Sequence, residues 1–406
     1  MTVTIRPSRA KGEVFAPPSK SMAHRLLICA ALSSGTSRIR GISDSDDVRA
    51  TLRCLKGLSI PYEISGDQVT VWGKSLFDLT PENPLFAGES GSTLRFMIPI
   101  ALLCEKEVCF TAKESLLARP MSVYETLAEE KGFLFERREN AIAVKGPLKP
   151  GNFRIPGNIS SQFISGLLFA LPLLSADSRI TITTAVESRS YISLTIKALA
   201  EFGVSVRWED EHTLLIPGNQ CYQSREISVE GDYSNAAFLE ALNLFSGEVT
   251  VKGLEEKSLQ GDKIYRQYFP MLEVGVPTLH IGDCPDLGPI LFAIAAAKNG
   301  GVFSGTRRLR IKESDRAAAM ASELRKFGAT VTVYDDSVVV FPGSFHSPTE
   351  PLLGHNDHRI VMALSVLLSF VGGTIRGAEA IRKSYPTFFH DITKLGICVT
   401  EQEDSQ

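Results

Sequence analysis

The chain has almost no net charge and no long apolar run, and each absence removes a class of function. Its 43 basic and 46 acidic side chains leave a formal charge of −3 over 406 residues. No global basic field is present to recruit nucleic acid. The most apolar stretch, "IVMALSVLLSFVGG", falls short of the roughly 20 apolar residues that span a bilayer. The N-terminal "MTVTIRPSRAKGEV" lacks the apolar core of a secretory signal. Seven cysteines, an odd number without a C-x-x-C pair, argue against a disulfide framework or a zinc site. They are expected as reduced thiols in a cytoplasmic protein, with neither nucleic acid nor membrane as a partner.

What is present is an ordinary globular composition, 44% hydrophobic and 22% charged, in a chain long enough for two domains with real cores. Within it one pattern recurs. A polar helix start leads into an apolar helix, a turn, a short alternating strand, and a second helix ending in glycine. The helix starts read "SKSMAHRLLICAALS", "GSTLRFMIPIALLC", "SSQFISGLLFALPLLS", "YSNAAFLEALNLFS", "DLGPILFAIAAAKNG" and "HNDHRIVMALSVLLSF". With Lys20, Gly91, Ser161, Ser234, Asp286 and Asp357 as markers, subtraction gives spacings of 71, 70, 73, 52 and 71. Hairpins such as "YEISGDQVTVWG" and "VTVYDDSVVVFPG" close the units. The repeat is therefore helix, strand, helix, strand, strand, used six times, with the fourth copy too short for its hairpin. Such a unit cannot bury its apolar faces alone, so copies must pack together, and six suit two domains of three.

Equivalent helices related by symmetry point their N-termini the same way, and helix N-termini bind anions. The polar residues gather at those starts and at the strand-to-helix loops. They are Lys20, Ser21, Arg25, Gly91, Ser92, Arg95, Arg119, Ser160, Ser161, Gln162, Ser188, Tyr191, Asp286, Lys312, Glu313, Arg316, His358, Arg359 and Lys383. Arg supplies forked donors for carboxylate or phosphate, Lys a mobile point charge, and Ser and Gln orientation without charge. Each motif alone also reads as an ordinary cap. "GESGSTLR" lacks the spacing of a nucleotide P-loop, and "HNDHR" has two histidines without a supporting ligand cluster, so no metal is expected. The coincidence of these pieces with matching places in a repeat favours a ligand bearing several anionic groups.

The motifs "PSKSMAHR", "GESGSTLRF", "ARPM", "ISSQFISGLL", "ESRSYI", "IKESDR", "NDHRIVMA" and "RKSYPTFF", in that order along the whole chain, resemble those of the enolpyruvyl transferases, in the branch acting on shikimate 3-phosphate. The resemblance implies a two-domain inverse α/β barrel, six repeats with three per domain, helices inside and sheets outside. It implies a discontinuous domain of residues 1–16 plus 230–406, carrying much of the phosphoenolpyruvate site. Residues 17–229 would form the inserted domain, carrying much of the shikimate 3-phosphate site. The reaction implied moves the enolpyruvyl group of phosphoenolpyruvate to the 5-hydroxyl of shikimate 3-phosphate, releasing phosphate, on the route to chorismate and aromatic amino acids. No cofactor and no metal are implied, and a cytoplasmic monomer is expected.

By the same resemblance, Lys20, Ser21, Arg25, Ser160, Ser161, Gln162, Ser188, Tyr191, Asp286 and Lys312 bind shikimate 3-phosphate. Lys20, Gly91, Ser92, Arg119, Gln162, Arg316, His358, Arg359 and Lys383 surround phosphoenolpyruvate, the site where the herbicide glyphosate acts on this family. Asp286, Glu313 and Lys20 carry the proton transfers, with Asp286 placed to accept the 5-hydroxyl proton. Two positions depart from the pattern, since Arg308 and Glu89 stand where many members carry Asn. The relatives that act on UDP-N-acetylglucosamine carry a loop Cys where this chain reads "KESLLARP", and Lys-Asn where it has Lys20-Ser21. A non-catalytic anion-binding protein on the same fold is the other alternative, and Asp286 and Glu313 argue against it.

Overall fold

The computed structural model describes residues 1–74, 81–82 and 84–403. The chain forms two compact units, one of Met1–Pro17 with Gly231–Gln406 and one of Pro18–Glu230.

In the Pro18–Glu230 unit the helices Lys20–Leu32, Gly91–Ala101 and Ser161–Ala170 are buried on nearly every side. That follows from their composition: "LLICAAL", "FMIPIA" and "FISGLLFA" present no polar face, as a helix enclosed by others requires. Each is followed by the central strand of a sheet. Ser33–Arg40, Val108–Thr111 and Ser178–Ile182 each pair antiparallel with the second strand of a following hairpin, Gln68–Gly73, Ala141–Lys145 or Thr213–Ile216. A parallel partner lies on the other side: Tyr222–Gln223 and Glu226–Ser228, Leu85–Phe86, and Asn152–Ile155. The strands bury alternate residues, so Ser178, Ile180 and Ile182 face the helices while Arg179 faces out.

The other unit repeats the plan with the helices Tyr233–Ala241, Gly288–Ala297 and His358–Val371. In the fifth copy Gly301–Ser304 lies between Thr278–His280 and the hairpin Thr330–Val333/Ser337–Phe341. In the sixth, the return strand of the hairpin comes from the far end of the chain: Thr2–Arg6 lies between Gly373–Arg376 and Cys398–Gln402, antiparallel to both. The N-terminal strand thus closes the last repeat. Among the described residues the fourth copy has no hairpin, and Glu248–Lys252 pairs with Lys11–Phe15 in a two-stranded sheet. No helix among the described residues is long and apolar enough to cross a membrane.

The helix starts are capped differently in the two units. In Pro18–Glu230 the caps are serines: Ser19 accepts from Met22 N–H at 3.4 Å, Ser90 from Thr93 N–H at 3.3 Å and Ser160 from Gln162 N–H at 3.3 Å. In the other unit they are aspartates: Asp232 accepts from Asn235 N–H at 2.8 Å and Asp357 from Arg359 N–H at 2.9 Å. Asp286 lies in the 3-10 turn Pro285–Leu287 directly before the Gly288–Ala297 helix. Serine caps leave the positive helix end uncompensated, and aspartate caps neutralise it.

Candidate functional site

In the Pro18–Glu230 unit the three helix starts are joined by a buried polar network. Lys20, the first residue of its helix, places Nζ 2.7 Å from Asp47 Oδ2, and the Asp47 carbonyl accepts from Thr93 Oγ1 at 3.4 Å. Gln162 bridges two copies, donating from Nε2 to Ser92 Oγ at 2.9 Å and accepting on Oε1 from Arg95 Nη1 at 2.7 Å. Gly91 lies against the same guanidinium groups. A Cβ there would stand 3.0 Å from Arg119 Nη1, 3.2 Å from Arg95 Nη1 and 3.7 Å from Gln162 Oε1. Arg119 is 9% exposed, yet its Nε and Nη2 are buried without a hydrogen-bond partner among the described residues. Unmet buried donors cost about 1–3 kcal/mol each, so a protein retains them where a ligand satisfies them.

Arg25 is held by three contacts. Nε donates to Thr195 Oγ1 at 2.8 Å, Nη1 to the Ser21 carbonyl at 2.6 Å and Nη2 to the Tyr191 carbonyl at 3.0 Å. Its guanidinium lies over the Phe96 ring, 5.2 Å from the centroid. Burial lowers its pKa to about 10, leaving it cationic at neutral pH. Ser188 starts the Arg189–Glu201 helix in the left-handed region, φ 56°, and its carbonyl accepts from Tyr191 N–H at 3.0 Å. Burial, aided by Lys20 and Arg25, holds His24 well below its usual pKa, so it stays neutral and bonds Thr51. Lys20, Arg25, Arg95 and Arg119 thus gather in this unit, with the Asp47 carboxylate against Lys20.

The second unit gathers a more balanced set. Arg316 opens the Arg316–Arg325 helix and reaches three carboxylates: Nη1 to Asp286 at 2.7 Å, Nη2 to Glu313 at 2.7 Å and Nε to Asp357 at 2.9 Å. Lys312 and Arg359 also reach Asp286, each at 3.4 Å. Arg359 is clamped by Asn235 Oδ1 at 2.9 Å and Ser234 Oγ at 2.6 Å. Lys383 donates to the Asn356 carbonyl at 2.6 Å, and buried His358 lies 3.9 Å from Asp357 Oδ1.

Burial alone would raise the Asp286 pKa, but Lys312, Arg316 and Arg359 outweigh it and hold the carboxyl well below its ordinary value. Burial pulls the Lys312 ammonium down, opposed by Asp286 and assisted by Arg316 and Arg308. The result is an ionised carboxylate enclosed by cations, at the mouth of a buried helix.

The family model described as EPSP synthase (3-phosphoshikimate 1-carboxyvinyltransferase) matches residues 5–272 and 269–392. The chain belongs to the EPSP synthase family. The 3-phosphoshikimate 1-carboxyvinyltransferase of Clostridium kluyveri is 39% identical over 417 residues, with 97% of each chain covered. That of Clostridium novyi is 38% identical over 428 residues, with 98% of each covered. The fold is similar to that of EPSP synthase from Acinetobacter baumannii, with a TM-score of 0.81 at 23% identity over 98% of this chain and 100% of that one.

The two departures from the EPSP synthase pattern have distinct surroundings. Glu89 is paired with Lys113 at 2.7 Å. Arg308 is buried in the 3-10 turn Arg307–Ile311, directly before Lys312. His355, one of the two histidines of "HNDHR", bonds Glu323 at 2.9 Å. Sequence reasoning gave no role to Asp47, Asn235, Thr195 or the Asp357 side chain. Asp357 had a signal, its cap position in the sixth repeat; Thr195 had none, because its partner Arg25 lies 170 residues away.

Proposed function

We infer that the chain transfers the enolpyruvyl group of phosphoenolpyruvate to the 5-hydroxyl of shikimate 3-phosphate, releasing phosphate on the way to chorismate and aromatic amino acids. Four anionic groups, the phosphate and carboxylate of each substrate, match the excess of cations at the helix starts. Ser21, Arg25, Ser160, Ser161, Gln162, Ser188 and Tyr191, with Lys312, hold shikimate 3-phosphate. Gly91, Ser92, Arg119 and Gln162, with Arg316, His358, Arg359 and Lys383, hold phosphoenolpyruvate. Lys20 serves both.

The observation that carries the chemistry is the ionised Asp286 among Lys312, Arg316 and Arg359. A pure anion trap has no use for a carboxylate there; a reaction that must take a proton from a hydroxyl does. The 5-oxygen forms a bond to C2 of phosphoenolpyruvate, its proton passes to Asp286, and C3 gains a proton. In the second half the C2–O bond to phosphate breaks with its electron pair leaving on phosphate, and C3 loses a proton to restore the double bond. Asp286 is a weak base on its own, so attack at C2 and protonation at C3 must draw the hydroxyl proton off. Lys20 and Glu313 exchange the C3 proton. Arg119, whose free donors await an anion, and Arg316 stabilise charge on the departing phosphate.

Phosphate release in the presence of both substrates tests this, with UDP-N-acetylglucosamine as the alternative acceptor. Release dependent on shikimate 3-phosphate supports it, and release dependent on the nucleotide sugar refutes it. The assignment puts the protein in the cytoplasm as a monomer; sedimentation at assay concentration checks the latter.

A further inference from the structure

Glu89 occupies a position where a carboxylate should do harm. It stands two residues before Gly91, on the loop feeding the helix start proposed to receive phosphoenolpyruvate, and its side chain is only 10% exposed. An uncompensated negative charge there would repel an anionic ligand. Lys113 supplies an opposite charge, its Nζ lying 2.7 Å from Glu89 Oε1. The hydrogen bond to Glu89 raises the Lys113 pKa, so the ammonium stays charged at neutral pH.

Lys113 is tied to the same loop by its backbone. Its N–H donates to the Gly88 carbonyl at 2.9 Å. Its own carbonyl accepts from Leu116 and Leu117 N–H at 2.9 and 3.1 Å, starting the Glu114–Leu117 turn, and the Leu116 carbonyl accepts from Arg119 N–H at 3.1 Å. Hydrogen bonds therefore run without a break from the Gly88–Glu89 loop, through Lys113, to Arg119. The two segments joined this way are those that bring Arg119 within reach of Gly91.

We propose that Lys113 is a positioning residue of the phosphoenolpyruvate site, its ammonium cancelling the charge of Glu89 while its backbone sets the Arg119 segment against the Gly91 helix start. This rests on the function inferred above, so wild-type turnover with both substrates is measured first and stands or falls independently of the variants. Lys113→Met, Glu89→Gln and the double variant are then compared for kcat and for KM toward phosphoenolpyruvate.

Lys113→Met should raise that KM about fivefold or more with kcat within about twofold, since the unbalanced charge acts on binding. Glu89→Gln should leave KM at or below the wild-type value, and the double variant should return to within about twofold of wild type. An unchanged KM in Lys113→Met, or a rise that Glu89→Gln does not reverse, overturns the proposal. If Lys113→Met does not fold, Glu89→Gln carries the test alone: a KM above wild type overturns it.

Discussion

The first carbon of a side chain at position 91 would lie 3.0 Å from Nη1 of Arg119. Gly91 is the opening residue of a regular helix, so its lack of a Cβ serves the space in front of the helix more than the backbone. Arg119 and Arg95 can each retreat by a few tenths of an ångström, because the atoms met are the far ends of flexible side chains.

Gly91→Ala should therefore fold normally and shift the guanidinium groups. KM for phosphoenolpyruvate should rise by about threefold to tenfold, the scale of about 1 kcal/mol for a displaced contact. Glyphosate, the longer occupant, should lose considerably more. Inhibition constants measured against phosphoenolpyruvate for both proteins check this. Equal weakening of substrate and inhibitor would mean that the glycine serves the turn.

Arg119→Met removes buried donors that have no partner among the described residues. Thermal and urea unfolding should show stability unchanged or raised by up to about 1 kcal/mol, while KM for phosphoenolpyruvate rises about tenfold or more. A loss of stability comparable to that of a core substitution would assign Arg119 to the fold and not to the ligand.

Asp286→Asn should lower turnover by about 100-fold or more while shikimate 3-phosphate still binds. It also leaves Lys312, Arg316 and Arg359 without a shared counter-charge, so stability should fall by about 1.5–3 kcal/mol at neutral pH. The folded-state pKa of Asp286 is depressed, so its contribution is present above the unfolded value and is lost as pH falls through the folded one. The stability difference between wild type and variant should be flat above about pH 5 and shrink below about pH 4. Urea titrations across that range read it directly, and a difference that grows on acidification would contradict the charge arrangement.

Cys29, Cys54, Cys104 and Cys284 are buried, and burial raises each of their thiol pKa values, that of Cys54 to about 12. No cysteine lies in the "KESLLARP" segment before Arg119. Fosfomycin, which alkylates the loop Cys of the UDP-N-acetylglucosamine enzymes, should leave activity intact and add no mass to the protein. A stoichiometric adduct with loss of activity would reassign the site.

The repeat was legible because five of its six copies advertise their start, Ser19, Ser90, Ser160, Asp232 and Asp357 being ordinary caps before apolar runs. The place of residues 1–16 with the C-terminal half came from the family resemblance and from no local pattern; only the folded chain shows Thr2–Arg6 paired with Gly373–Arg376 and Cys398–Gln402. What joins the cations was not. Arg25 finds Thr195, and Arg359 finds Ser234 and Asn235, across separations that no local period encodes. Asp47 reads as a first-turn acid of its own helix, and only packing brings it to Lys20. Glu89 reads as a charge misplaced beside an anion site until Lys113 appears opposite it.

The most direct measurement is phosphate release followed with phosphoenolpyruvate and shikimate 3-phosphate supplied together and separately. The arrangement of Asp286 among cations predicts release only with both present, one phosphate for each shikimate 3-phosphate consumed, and a loss of about 100-fold in Asp286→Asn. Release from phosphoenolpyruvate alone at the same rate, or no release with both substrates and folded protein, would contradict it.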